Sequence, residues 1–221
     1  MTQDVANKGT ARLLDPIDRI SEILFGLFMV LTFTGTLSVA SAGREEVRSM
    51  LIAAIGCNIA WGFVDGVMYV LRNLVDRGRK AELVRVVRSA DRPERAHRLI
   101  ADEMGALSGA IGTPELERMR QWVVARPDLD AQAVRVTALD MRGAVGVFLL
   151  VFLSTFPVVL PFVFIADVRT AMRVSAAVAI AMLFLCGYGW GRYAGMKPWR
   201  TGLVMVLLGL GVEAVVIALG G

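Results

Sequence analysis

The chain has 221 residues, of which 56% are hydrophobic and 20% are charged, and its formal net charge is +4. The apolar residues come in long blocks and not at the spacing of an amphipathic helix, which excludes a soluble globular domain. This pattern predicts an all-α, polytopic membrane protein. Its basic excess is explained by membrane topology, so no nucleic-acid partner is expected.

Five apolar blocks have about the 20 residues that a helix needs to cross a bilayer. They cover residues 20–42, 50–71, 143–166, 174–191 and 202–221. Residues 1–19 contain no signal-peptide core and should form a polar N-terminus and the start of the first helix. The sequence therefore predicts transmembrane helices 1 and 2 over residues 20–71, a charged helical insert over 72–142, and transmembrane helices 3 to 5 over 143–221.

The distribution of Lys and Arg predicts the orientation. With five spans, the N-terminus, the insert and the loop between the last two spans share one side of the membrane. That side carries twenty Lys and Arg residues, and the opposite side carries four. Because cytoplasmic segments carry the positive excess, we expect the N-terminus and the insert in the cytoplasm and the C-terminus outside.

The first predicted helix contains an acid close to its cytoplasmic edge. Asp15, Pro16 and Asp18 are typical of a helix start, with Asp15 as the N-cap. Glu22 follows about 3 Å inside the apolar block, at 1.5 Å per residue. Glu22 is either a functional carboxylate or a first-turn acid that complements the helix dipole.

The second predicted helix carries a polar stripe. Asn58, Gly62, Asp65 and Tyr69 follow one another at helical spacing, and Met68 lies beside them. A carboxyl in hydrocarbon costs several kcal/mol unless a partner, water or a ligand compensates it. We therefore expect this stripe to face protein, and Asp65 is the leading candidate for a functional residue.

Glu22 and Asp65 are predicted at similar depth, because Asp65 lies about 9 Å from the cytoplasmic end of its helix. Two carboxylates converging from different helices suit a divalent cation or a proton relay, since hard cations prefer oxygen ligands. Asn58 and Met68 could add an oxygen and a thioether ligand. The structural alternative is an ion pair between Asp65 and an arginine of the insert such as Arg72.

Two features of the remaining chain, the proline pair and Glu213, each leave two interpretations open. Pro157 and Pro161 should bend the third span, either beside a transport pathway or as simple curvature. Glu213 lies near or beyond the middle of the fifth span, as a proton site or as a neutral hydrogen-bonding group. His97, the single histidine, lies among arginines of the insert and is expected to be a solvated surface residue.

No pattern of a soluble enzyme occurs. The chain lacks a phosphate-binding loop, a nucleophile beside a base, and Cys and His residues at metal-binding spacing. Cys57 and Cys186 lie within apolar blocks and resemble small buried apolar residues. Neither an enzymatic activity nor a permanently bound cofactor is expected.

The layout resembles the vacuolar iron transporter family: five spans, a short turn after the first, and a helical cytoplasmic insert after the second. The stretch SEILFGLFMVLTFTG is similar to that family's first helix, with Glu22 at the place of a metal-binding Asp. The family's Ser-Met-x-x-Gly-Glu-Tyr pattern places its Glu at Asp65, its Met at Trp61 and its Gly at Val64. The insert departs from the family, because it carries fourteen basic and eleven acidic residues and is poor in glutamate.

The resemblance implies a homodimer in a bacterial inner membrane that exports divalent iron or manganese from the cytoplasm by proton exchange. Glu22 and Asp65 would be its carboxylate ligands, Asn58 and Met68 its auxiliary ligands, and Glu213 part of a proton pathway. The alternative is a membrane scaffold without transport activity, whose basic insert binds a protein partner or anionic lipid.

Overall fold

The computed structural model describes residues 14–35, 43–126 and 134–219, and every regular element within these ranges is a helix. The elements are α1 (Pro16–Gly35), α2 (Arg44–Arg88), α3 (Pro93–Met104), a 3₁₀ helix (Gly105–Ala110), α4 (Thr113–Val124), α5 (Ala138–Ser154), α6 (Phe156–Phe164), α7 (Val168–Tyr193) and α8 (Pro198–Ala218). The all-α prediction is confirmed for the described residues.

Four stretches of the described chain are long and apolar enough to cross a membrane. They are Glu45–Arg88, Ala138–Phe164, Val168–Tyr193 and Pro198–Ala218. The protein is therefore an integral membrane protein, and these stretches contain or largely overlap the second to fifth predicted blocks. Residues 36–42 of the first block lie outside the described residues, so the count of five spans stays a prediction.

The contacts within the chain divide it into two compact units. The first unit comprises residues 1–69 and 141–221, and the second comprises residues 70–140. Helix α2 is continuous from Arg44 to Arg88, so it runs well past the end of the second predicted block at Leu71. The apolar block predicts only the part of α2 that crosses the hydrocarbon core of the membrane.

The core of the first unit joins α1, α6 and α7. Leu27 and Val30 of α1 are fully buried and pack with Val158 of α6 and with Leu183 of α7. The side-chain oxygen Oδ1 of Asp15 accepts a hydrogen bond from the Ile17 amide at 2.9 Å, which confirms the predicted helix start. These contacts fix α1 lengthwise against the other helices.

The third predicted span is interrupted where the sequence contains its two prolines. Helix α5 ends at Ser154 and α6 begins at Phe156, with Pro157 in its first turn and Pro161 inside it. The Ser175 hydroxyl of α7 donates a 2.6 Å hydrogen bond to the Val158 carbonyl. A neighbouring helix thus bonds directly to the backbone beside the bend.

The second unit has a small apolar core and a buried polar network. Val87, Ala96 and Ile100 form the core of this unit. Asp140, at 2% exposure, accepts paired hydrogen bonds of 2.6 and 2.8 Å from Arg77. Its carboxylate also accepts hydrogen bonds from Asn73 and Thr137.

His97 is not the solvated surface residue that the sequence predicted. Its side chain is 12% exposed, and its Nε2 atom lies 2.7 Å from Glu117 Oε2. Glu117 also accepts hydrogen bonds from Arg120 and Gln121. The prediction failed because several acids of the insert are near His97 in sequence, and only the packing of the helices selects Glu117, twenty residues away, as its partner.

Candidate functional site

An aromatic pair sets the lengthwise register of α1 and α2. The rings of Phe25 and Trp61 pack edge to face with centroids 5.8 Å apart. Leu51, ten residues before Trp61, packs against the core that contains Leu31, six residues after Phe25. The two helices are therefore antiparallel neighbours. Glu22 and Asp65 both lie about one turn from the aromatic pair, toward the start of α1.

Glycines set the register of both helices against α5. A Cβ at Gly26 of α1 would lie 2.6 Å from the Val151 carbonyl and would collide with the Ser154 hydroxyl. On α2, a Cβ at Gly62 would lie 3.2 Å from the Phe148 carbonyl, and one at Gly66 would lie 3.0 Å from the Ala144 carbonyl. The backbones of α1 and α2 therefore approach α5 at heights that these contacts define.

The helical period then gives the directions in which the two acids point. On α1, Glu22 lies between the Phe25 face, which contacts α2, and the Gly26 face, which contacts α5. On α2, Asp65 likewise lies between the Trp61 face toward α1 and the glycine face toward α5. Both acids are thus directed into the line along which α1, α2 and α5 meet, which we call the three-helix seam.

The seam is shielded at the level of the two acids. Glu22 is 9% exposed, Asp65 is partly buried, and Val147 of α5 is 1% exposed at the same level. Tyr69, one turn beyond Asp65, lies with its ring against Gly143 of α5. The predicted stripe of α2 therefore faces protein, as its polarity required.

The three-helix seam supplies two carboxylates at one depth from two different helices. Within the described residues no group of three or more His, Cys, Asp or Glu side chains is placed to hold a metal ion. A hard divalent cation takes six or more oxygen ligands, among them water and backbone carbonyls. Two converging carboxylates can hold such an ion only together with further ligands, or they can exchange protons.

Asn58 lies in the same seam but at another level. Its side chain is 0% exposed, and neither its Nδ2 nor its Oδ1 atom has a hydrogen-bond partner among the described residues. Asn58 precedes Asp65 by seven residues, which is about 10 Å along the helix axis. The three-helix seam thus contains a carboxylate level and, farther from the start of α1, an amide level.

Met68 is not shielded as the two acids are, and Glu213 does not lie at the carboxylate level. Met68 is 46% exposed, although it lies within one turn of Asp65 along α2. A Cβ at Gly209 of α8 would contact Leu31 of α1 and would collide with Leu183 of α7. Glu213, partly buried one turn beyond Gly209, is therefore about 20 Å from the level of Glu22 along the helix axes.

Two polar clusters of the second unit were absent from the sequence-based candidates. The first is Asp140 with Arg77 and Thr137, and its local signal is a Thr three residues before an Asp at a helix start. The second is the Glu117 cluster. Hydrogen bonds from Arg120, and then from His97 and Gln121, hold the pKa of Glu117 well below its ordinary value. Both clusters consist of mutually bonded groups and have the character of structural ion pairs.

Comparison with known proteins adds one finding. A family model described as the VIT family matches residues 72–221, and no curated protein matches the chain. The matched region contains the second unit from residue 72 onward, helices α5 to α8, and Glu213. The residues of the three-helix seam on α1 and α2, namely Glu22, Asn58 and Asp65, precede it. The three-helix seam is therefore defined by the helix contacts of this chain.

Proposed function

The chain belongs to the VIT family, the vacuolar iron transporters, and we propose that it exports divalent iron or manganese from the cytoplasm in exchange for protons. Family membership indicates membrane transport of metal ions. The observation that carries the finer proposal is the convergence of Glu22 and Asp65, from two helices, on one shielded level of the three-helix seam.

The chemistry of these groups fits a hard divalent cation. Carboxylate oxygens bind Mn(II) and Fe(II), and the seam offers no thiolate that would favour softer metals. In the proposed cycle, Glu22 and Asp65 bind the ion from the cytoplasm and release it toward the outside. They then take up protons, which lowers the charge that the empty site would carry in a low-dielectric environment.

A second copy of the chain would complete the ligand set. The two carboxylates supply fewer oxygens than a divalent cation requires, and Met68 is exposed in the single chain at the height of Asp65. We therefore propose a homodimer in which Met68 faces the partner copy, in agreement with the family resemblance. Glu213 lies far from the carboxylate level and is proposed as a separate proton-carrying group.

The proposed orientation follows the charge distribution. The start of α1 faces the cytoplasm of a bacterium, so the carboxylate level lies in the inner third of the inner membrane and the C-terminus is outside. The membrane potential and the proton gradient would then drive protons inward through the same helices that carry metal outward.

The test is metal flux in proteoliposomes that contain the purified protein and an internal pH dye. We expect Mn(II) and Fe(II) to enter vesicles with counter-movement of protons, and we expect Asp65→Asn to reduce both fluxes at least 100-fold. The matched control is Asp76→Asn, which makes the same chemical change on the same helix at an exposed position. Asp76→Asn should leave both fluxes within twofold of the wild-type values.

Three results separate the possibilities. Metal flux without proton movement would support metal transport and contradict the proposed exchange of metal for protons. Equal loss of flux in Asp65→Asn and Asp76→Asn would show that the seam is not the site. Absence of flux from folded wild-type protein would overturn the proposal and favour a membrane scaffold with a basic cytoplasmic segment.

A further inference from the structure

The amide level of the three-helix seam contains a polar side chain that the structure itself does not satisfy. Asn58 is fully buried, and both of its side-chain polar atoms lack partners among the described residues. Leaving a buried amide without hydrogen bonds is costly, and nearly all buried polar groups in proteins have partners. An apolar residue of similar size would pack here without this cost, so the amide calls for a functional explanation.

Asn58 lies at the height of the break between α5 and α6. Gly62 of α2 lies against Phe148 of α5, so Asn58, one turn away, is level with Phe152. At this height α5 ends, and Pro157 has no N–H group to donate to the Leu153 carbonyl four residues earlier.

Two buried hydroxyl groups lie at the same break. Ser154 and Thr155 are 5% and 1% exposed. Their hydroxyl groups donate hydrogen bonds to the carbonyls of Val151 and Phe152, so the hydroxyl oxygens keep lone pairs that can accept. The amide of Asn58 thus lies at the height of an interrupted helix that presents neutral oxygen atoms.

We propose that Asn58 and the α5–α6 break form a second binding site for the transported divalent cation, which keeps part of its water shell there. This inference rests on the proposed function and assigns Asn58 to a step after the carboxylate level. Asn58 and Asp65 are about 10 Å apart along α2, whereas ligand oxygens lie about 2.0–2.6 Å from such ions, so two short side chains at this spacing favour separate sites.

Neutral oxygens suit a site through which an ion passes. A carboxylate pair attracts the ion from the cytoplasm, but strong binding alone would retain it. Conduction requires sites that bind well enough to accept an ion and weakly enough to release it. An amide oxygen and retained water molecules provide such a site without adding a charge to the hydrocarbon region.

The experiment uses the full-length protein, Mn(II) and four variants. Asn58→Leu removes the amide at similar volume, Asn58→Asp adds a carboxylate, and Cys57→Ala perturbs the same helical turn without removing a proposed ligand. Asp65→Asn reports the carboxylate level. Mn(II) flux is measured in proteoliposomes, and the number of Mn(II) ions bound per chain is measured by electron paramagnetic resonance in detergent.

We expect Asn58→Leu to reduce Mn(II) flux at least tenfold while it retains Mn(II) bound at the carboxylate level and melts no lower than the wild type. Asn58→Asp should bind one more Mn(II) per chain and also transport slowly, because the added charge holds the ion. Cys57→Ala should transport within twofold of the wild type.

The failures of the two proposals are distinguishable. In one outcome, the wild type transports Mn(II), Asp65→Asn abolishes the flux and Asn58→Leu leaves it unchanged. That result would overturn the second site and retain the transporter. A lower melting temperature of Asn58→Leu, with no additional Mn(II) in Asn58→Asp, would show that Asn58 has structural partners only. If the wild type transports no metal, additional Mn(II) bound by Asn58→Asp would support a binding site without transport, and its absence would overturn both proposals.

Discussion

Asp140 and Asn58 are both almost completely buried, but they differ in the hydrogen bonds that their side chains make. Asp140 in the second unit accepts hydrogen bonds from Arg77, Asn73 and Thr137. Asn58 in the first unit has no hydrogen-bond partner among the described residues. A buried polar group that makes hydrogen bonds stabilises the fold through those bonds. A buried polar group without hydrogen-bond partners lowers stability, and such groups are typical of sites retained for function.

The acids of the two units also lie in different surroundings. In the second unit, Glu117 is bonded to Arg120, His97 and Gln121, and such mutual pairing satisfies charges locally. In the first unit, Glu22 and Asp65 are directed into a shielded seam between three apolar helices. Substitutions that open the seam should therefore abolish transport, whereas substitutions in the polar clusters of the second unit should act on folding. Three predictions test this difference.

The largest effect is expected where α1 meets α5. Gly26→Leu would place side-chain atoms into the Val151 carbonyl and the Ser154 hydroxyl, so it would force α1 away from α5 and open the three-helix seam. We expect metal flux to be lost and the free energy of unfolding to fall by at least about 3 kcal/mol, the upper range for overpacking. Flux assays and thermal melting in detergent measure these two quantities.

Gly56→Leu is the matched control, because no described side-chain neighbour lies within 4 Å of a Cβ at Gly56. It should leave melting and flux near the wild-type values. If Gly26→Leu were as active as Gly56→Leu, the register between α1 and α5 would be wrong, and the convergence of Glu22 with Asp65 would lose its support.

An intermediate effect is expected at Asp140. Asp140→Asn keeps the shape of the side chain but removes the charge that Arg77 binds, and it replaces one acceptor oxygen with a donor. We expect a loss of about 2–3 kcal/mol in stability, since hydrogen bonds to charged groups contribute most. Hydrogen exchange of the amides in residues 70–126 should accelerate. Slow exchange as in the wild type would show that the ion pair contributes little.

The smallest effect is expected at Glu117, which lies in a partly exposed network. Its pKa is lowered in the folded protein, so it stabilises the fold fully above its ordinary pKa of 4.5, and this contribution is lost as the pH falls through the lower folded value. Glu117→Gln should therefore lower the melting temperature by a few degrees at pH 7. The difference from the wild type should shrink below pH 4.5. A difference that does not depend on pH would show that packing, not charge, is responsible.

The sequence predicted the properties that depend on one helix at a time. Block length and hydropathy identified a membrane protein, Asp15 and Pro16 located the start of α1, and counting residues along α1 and α2 placed Glu22 and Asp65 at similar depth. It did not predict that α2 continues to Arg88 or that His97 binds Glu117. Hydropathy does not indicate where a helix ends once it has left the hydrocarbon. An ion pair between two helices produces no pattern in the local sequence.

The position of each polar residue along and around its own helix follows from the sequence alone, because backbone hydrogen bonding sets 1.5 Å and 100° per residue. The tertiary structure decided which helix faces meet. Packing at Gly26, Gly62 and Gly66 against α5 turned Glu22 and Asp65 toward one seam, and it left Asn58 buried in the same seam. Contacts between residues far apart in the chain fix this packing, so no local pattern could have shown that the carboxylates and the amide face the same seam.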